Sequence, residues 1–116
     1  MADRSQEAQE LHDRAVLAEA RELNRSGWEV KVDHPGEHGW EEPPVLNGSQ
    51  PDIYATREDR DHERNRDLER AVEIETSASD DKDQRKDIQE WASQKNSRDF
   101  YGRLVDENGS RGKKRG

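Results

Sequence analysis

The apolar residues of this chain are confined to a few short clusters, and the period within each cluster leaves little freedom in what it can form. Residues 28–34, WEVKVDH, alternate strictly, with Trp28, Val30 and Val32 on one side and Glu29, Lys31 and Asp33 on the other. A period of two is that of a strand with one buried face. Residues 52–56, DIYAT, set Ile53 and Ala55 opposite Asp52, Tyr54 and Thr56. Residues 70–76, RAVEIET, set Val72, Ile74 and Thr76 opposite Ala71, Glu73 and Glu75, and residues 99–107, DFYGRLVDE, read as a fourth strand.

Two segments have a helical period instead. Residues 5–25 place Ala8, Leu11, Ala15, Ala18 and Leu23 near one face, with Ser5 as N-cap and Ser26-Gly27 as the stop. Residues 77–97 form the second helix, with Asp80 or Asp81 near its cap and Ile88, Trp91 and Ala92 inward. The Pro- and Gly-punctuated stretch 35–51 is a loop. Residues 57–69, REDRDHERNRDLE, are too polar to bury anything and form a solvated hairpin tip or a short charged helix. The order is helix, three strands, helix, strand. It predicts an α/β (α+β) fold with a mixed four-stranded sheet flanked by helices, the first three strands forming an antiparallel meander. A right-handed crossover then makes the last pair parallel. A single domain is expected over residues 5–107, followed by a flexible basic tail at 108–116.

Composition decides whether such a chain folds at all. Only 16 of 116 residues are Leu, Ile, Val or Phe, while 41% are charged and the net charge is −8. That is the range in which a disordered acidic interaction protein is the default. Clustering of the apolar residues, with Trp28, Trp40 and Trp91 in or beside the clusters, argues for a folded core. The Asp-rich acidic excess and the preference for Arg over Lys give a surface that resembles proteins of salt-loving organisms. In molar salt the Debye length falls to about 3 Å and self-repulsion is screened. There is no Cys, so neither disulfides nor thiolate metal sites exist. The polar N-terminus and the lack of long apolar runs predict no signal peptide and no membrane span, hence a cytoplasmic protein.

Carboxylates inside the most strand-prone segments need a reason. Residues two apart on a strand share a face about 6–7 Å apart, so Glu73 and Glu75 lie together. If 52–56 and 71–76 are neighbours, Asp52 joins them. Three such groups do not all stay ionised without a counter-charge: a pKa rises or a cation binds. Mg²⁺ takes oxygen ligands, typically one or two carboxylates with waters and substrate phosphate, and activates water for attack on a phosphodiester.

The PD opening one strand at 51–52, the Glu-x-Glu at 73–75 in the next, and the order αβββαβ around them resemble the PD-(D/E)XK nuclease superfamily over roughly residues 8–106. The resemblance implies a restriction-endonuclease-like core and a Mg²⁺- or Mn²⁺-dependent nuclease. Asp52 and Glu73 would be metal ligands, with Glu75 where the family usually has Lys. Some restriction enzymes of the superfamily carry Glu there, and inactive relatives also lose the Lys. Gln84 is the preferred accessory residue and Lys82 the second, with Lys86 on the same helix. Glu19, then Glu22, would be the metal-binding Glu of the first helix. The implied partner is nucleic acid, DNA first, and the small size favours a homodimer. The alternative is a catalytically inactive binding or assembly module of the same fold.

Blander readings stand beside these. Glu73 and Glu75 also suit the solvated face of an edge strand, and Asp52 a turn. His34 and His38 have i, i+4 spacing in a loop without a convincing third zinc ligand, and His12 and His62 read as surface residues. Trp28 and Trp91 read as core, while Trp40 packs its loop down, supports a dimer or touches a ligand. The basic residues Arg111, Lys113, Lys114 and Arg115 add phosphate affinity by counterion release or merely solubilise the end.

Overall fold

The strand segments pair into one sheet. The structure, a computed structural model, describes residues 6–33, 40–59, 66–76, 82–105 and 111–115. Five strands, β1 (Glu29–Val32), β2 (Ile53–Asp59), β3 (Arg66–Thr76), β4 (Arg98–Val105) and β5 (Arg111–Arg115), lie side by side in chain order. β1, β2 and β3 form the antiparallel meander, β4 runs parallel to β3, and β5 returns antiparallel to β4. Helices α1 (Gln6–Arg25) and α2 (Lys82–Ser93) flank the sheet. The mixed α/β architecture and its four-stranded mixed core are those the periodicity predicts.

Two expectations are corrected. The flexible tail does not hold for 111–115, which form β5, with a register irregularity between Arg103 and Val105 of β4. The polar stretch 57–69 is partly strand, with Arg57↔Leu68, Glu58↔Asp67 and Asp59↔Arg66 paired. Both have one cause. Backbone N–H and C=O groups along a strand edge are satisfied by any partner backbone, so pairing extends past the last apolar side chain, which pattern reading does not register. Residues 60–65, including His62, and residues 34–39, including His34 and His38, lie outside the described residues, as do Asp80 and Asp81.

Alternation along the strands divides the core. Val30, Val32, Ile53, Ala55, Val72 and Ile74 face α1 and pack with Ala15, Val16, Ala20, Leu23 and Trp28. Ala71, with Tyr54 and Phe100 partly buried, faces α2 and packs with Ile88, Trp91 and Ala92. Trp28 and Trp91 are both core residues, and Trp40 packs partly buried against the first cluster. The buried stripe of α1 is rotated from the expected one: His12, Ala15, Val16, Glu19, Ala20 and Leu23 are buried, whereas Leu11 is half-buried and Ala18 exposed. Two polar residues with partners inside the fold displaced two apolar ones. Among the described residues no helix is long and apolar enough to cross a membrane.

α1 is stopped by a Schellman arrangement. Trp28 N donates to Leu23 O at 3.0 Å and Gly27 N to Asn24 O at 3.1 Å, with Gly27 at φ +94°. Leu23 and Trp28 share the core cluster, the apolar contact that accompanies this motif. An added Cβ at Gly27 would meet nothing within 4 Å. Gly27→Ala should therefore cost about 1–2 kcal/mol from backbone strain alone. Ile88→Ala, at a fully buried position, should cost about 2–5 kcal/mol. Urea unfolding followed by Trp fluorescence measures both.

Candidate functional site

Asp52 stands just before β2, one place beyond the Ile53↔Val72 pair, so the register carries it level with Glu73. Its Oδ2 accepts the Ile74 N–H at 2.8 Å. Glu73 points to the α2 face and makes a side-chain hydrogen bond with Asp52. From α2, Gln84 Nε2 donates to Glu73 Oε1 at 2.5 Å and to the Gln50 carbonyl at 2.9 Å. Gln84 lies four and seven residues before Ile88 and Trp91, so the stripe that packs α2 onto the sheet also brings Gln84 to it. The loop before β2 is held in turn. Gln50 Nε2 donates to Pro43 O at 2.8 Å, and Ser49 Oγ donates to Asp87 Oδ2 at 2.6 Å.

Burial first, and then the adjacent Asp52 charge, push the Glu73 carboxyl up to about 10, against the opposing Gln84 hydrogen bond. At neutral pH Glu73 therefore holds a proton. The hydrogen bonds agree: a neutral Glu73 donates to Asp52 and accepts from Gln84 on Oε1.

His12 completes the cluster from the other side of the sheet. Its Nε2 lies 3.3 Å from Asp52 Oδ2 and its Nδ1 3.3 Å from Asp13 Oδ1, with the ring buried. Ionised carboxylates only accept, so both contacts are hydrogen bonds together when both ring nitrogens carry protons. Asp33 belongs to the same neighbourhood. Its N–H donates to the Asp52 carbonyl at 2.9 Å, and its carboxyl is raised by burial and then by the charges of Asp52 and Glu42. The reading of His12 as a surface residue is thus corrected. A helical projection anchored on Val16, Ala20 and Leu23 puts His12 and Glu19 on the inner stripe, which is the signal that reveals them.

The other candidates separate. Glu75 is buried on the face of Glu73, but its Oε1 lies 3.5 Å from Arg85 Nε of α2. Glu19 lies on the opposite face, where Tyr101 Oη donates to its Oε2 at 2.5 Å and Arg103 Nε lies 3.2 Å from Oε1, with its N–H aimed off a hydrogen-bond line. Burial and then the bond to Glu19 raise the Tyr101 phenol, which stays neutral. Glu22 and Lys86 are exposed. Lys82 opens α2, and its side chain is outside the described set. The structure thus joins Asp52, Glu73 and Gln84, adds His12, and leaves Glu75 and Glu19 with arginines. An open groove lined by Glu29, Thr56, Arg57, Glu58 and Asp67 lies at the far end of β2 and contains none of these residues.

Among the described residues no group of three or more His, Asp or Glu side chains is arranged to hold a metal ion. The expected pocket of three carboxylates is reduced to the pair Asp52–Glu73. That pair becomes an ionised all-oxygen donor set, with the number of carboxylates that Mg²⁺ commonly takes, only once Glu73 gives up the proton it donates to Asp52.

The raised Glu73 has a measurable sign. A folded carboxyl above its unfolded value gives up stability as pH rises from about 4.5 to about 10, because the folded state keeps a proton that the unfolded chain loses. Glu73→Gln mimics the protonated form, so in chelator its stability advantage over wild type should grow steadily between pH 5 and pH 9 in urea titrations. A constant difference contradicts the assignment. No family model matches the chain, and no curated protein and no solved structure matches it.

Proposed function

We propose that the chain is a divalent-metal-dependent phosphodiester hydrolase acting on nucleic acid, in keeping with its resemblance to PD-(D/E)XK nucleases. The observation that carries this reading is the buried hydrogen bond between Asp52 and Glu73 at neighbouring strand positions, braced by Gln84 from α2 and His12 from α1. Two carboxyl groups crowded together away from water are an arrangement that folding stability alone disfavours. Asp52 and Glu73 would hold Mg²⁺ or Mn²⁺. When bound, the ion supplies positive charge to phosphate oxygens and acidity to a water molecule.

The chain's own residues fix the geometry. The Ile74 N–H and His12 fix the Asp52 carboxylate. Gln84, held by the Gln50 carbonyl, sets the rotamer of Glu73 from above the sheet. Glu75 pairs with Arg85 and does not replace the absent Lys. DNA as the substrate and a homodimer as the working unit belong to the same proposal.

A second reading rests on that Glu75–Arg85 pair, which stands where the superfamily usually carries its Lys: a non-catalytic binding or assembly module. Cleavage of linear and branched DNA with Mg²⁺ or Mn²⁺ decides between them. Asp52→Asn and Glu73→Gln should each lower the rate about 10²–10³-fold, the scale for one group that stabilises transition-state charge. Circular dichroism should stay unchanged. No cleavage by the wild type, together with no calorimetric heat on titrating either metal, selects the module.

A further inference from the structure

We propose that β5 is a docking rail for the phosphate backbone of a nucleic acid, placed beside the Asp52–Glu73 site. Among the described residues β5 is one of the two edge strands of the sheet, and four of its five residues, Arg111, Lys113, Lys114 and Arg115, are basic in a chain of net charge −8. Charged side chains, Lys above all, also keep a sheet edge from pairing with another chain. In a chain with 28 acidic against 20 basic residues, four basic residues in five positions are in addition a local reversal of the overall charge. The concentration of cations on one edge is what points to an anionic partner.

Register places this edge next to the candidate site. Glu73 of β3 pairs with Gly102 of β4, and Gly102 pairs with Arg115 of β5, so the three occupy one row across the sheet. With strands 4.7–4.9 Å apart, the backbone at Arg115 is about 10 Å from that at Glu73. The next row runs Ile74, Arg103, Lys114. A phosphodiester bond at the carboxylate pair therefore has neighbouring phosphates within reach of the β5 edge. The charge placement stands by itself. Taking the polyanion to be nucleic acid rests on the reading of the Asp52–Glu73 site.

Binding without cleavage separates the two. In chelator, anisotropy of a short fluorescent DNA duplex is followed between 50 and 200 mM salt. Replacing Arg111, Lys113, Lys114 and Arg115 by Gln should weaken binding at least tenfold at the lower salt. It should also flatten the log–log salt slope by about 0.9 for each phosphate no longer neutralised. An unchanged affinity and slope in the fourfold variant overturns the rail, whatever the cleavage assay gives. Should that variant lose its sheet signal, Lys113→Gln and Arg115→Gln singly must each flatten the slope, and failure of both overturns it too. Binding of polyglutamate as tight as that of DNA assigns the edge to acidic proteins and overturns the nucleic-acid reading.

Discussion

Asp52 draws together parts of the chain that are remote in sequence. Its Oδ2 takes the backbone N–H of Ile74 in β3 and lies 3.3 Å from His12 of α1, while Glu73, itself held by Gln84 of α2, hydrogen-bonds to the same carboxyl group. A partly buried carboxylate is tolerable only when donors replace the water it has lost. Here the donors come from both faces of the sheet, so both helices must be seated before the charge is satisfied. That requirement couples the two half-cores, which lie on opposite faces of the sheet.

A chain so poor in large apolar groups closes its core margins with arginine. Arg70 lies over Trp28 at 4.5 Å and Tyr101 at 5.5 Å from the ring centres while forking onto Asp99, and Arg98 covers Trp91 at 4.6 Å while bonding Glu69. The planar guanidinium stacks on a ring and keeps its donors for a carboxylate, which an ammonium does less well. The compositional preference for Arg over Lys therefore has a structural use beyond the surface. Each stack contributes about 0.5–2 kcal/mol, comparable with burying another small apolar side chain.

The elements were legible wherever apolar residues kept a period. The strand faces of β1, β2 and β3, the inward residues of α2 and the nearness of Asp52 to Glu73 all follow from alternation and register. What escaped was held by polar contacts. Leu11 and Ala18 look like better inner residues than His12 and Glu19 until Asp52, Tyr101 and Arg103 supply partners. Glu75 looks equivalent to Glu73 until Arg85 arrives from the following helix. β5 and the polar reach of the β2–β3 hairpin depend on backbone pairing, which side-chain composition does not encode. Sequence periodicity reports burial, and it is silent about which buried charge has found its complement.

His12 and Glu19 sit seven residues apart on one stripe of α1, close to two helical turns or about 10 Å. They answer opposite demands: one presents a ring to the carboxylate of Asp52, the other a carboxylate to Tyr101 and Arg103. The apolar residues of the same stripe between and beside them, Ala15, Val16 and Ala20, are small and offer few large knobs to fix the helix lengthwise on the sheet. A two-turn slip toward the N-terminus would bring Glu19 against Asp52, acid upon acid. The seating of this smooth helix is thus keyed by electrostatic mismatch, as two unlike pins fix the only way a part can be inserted.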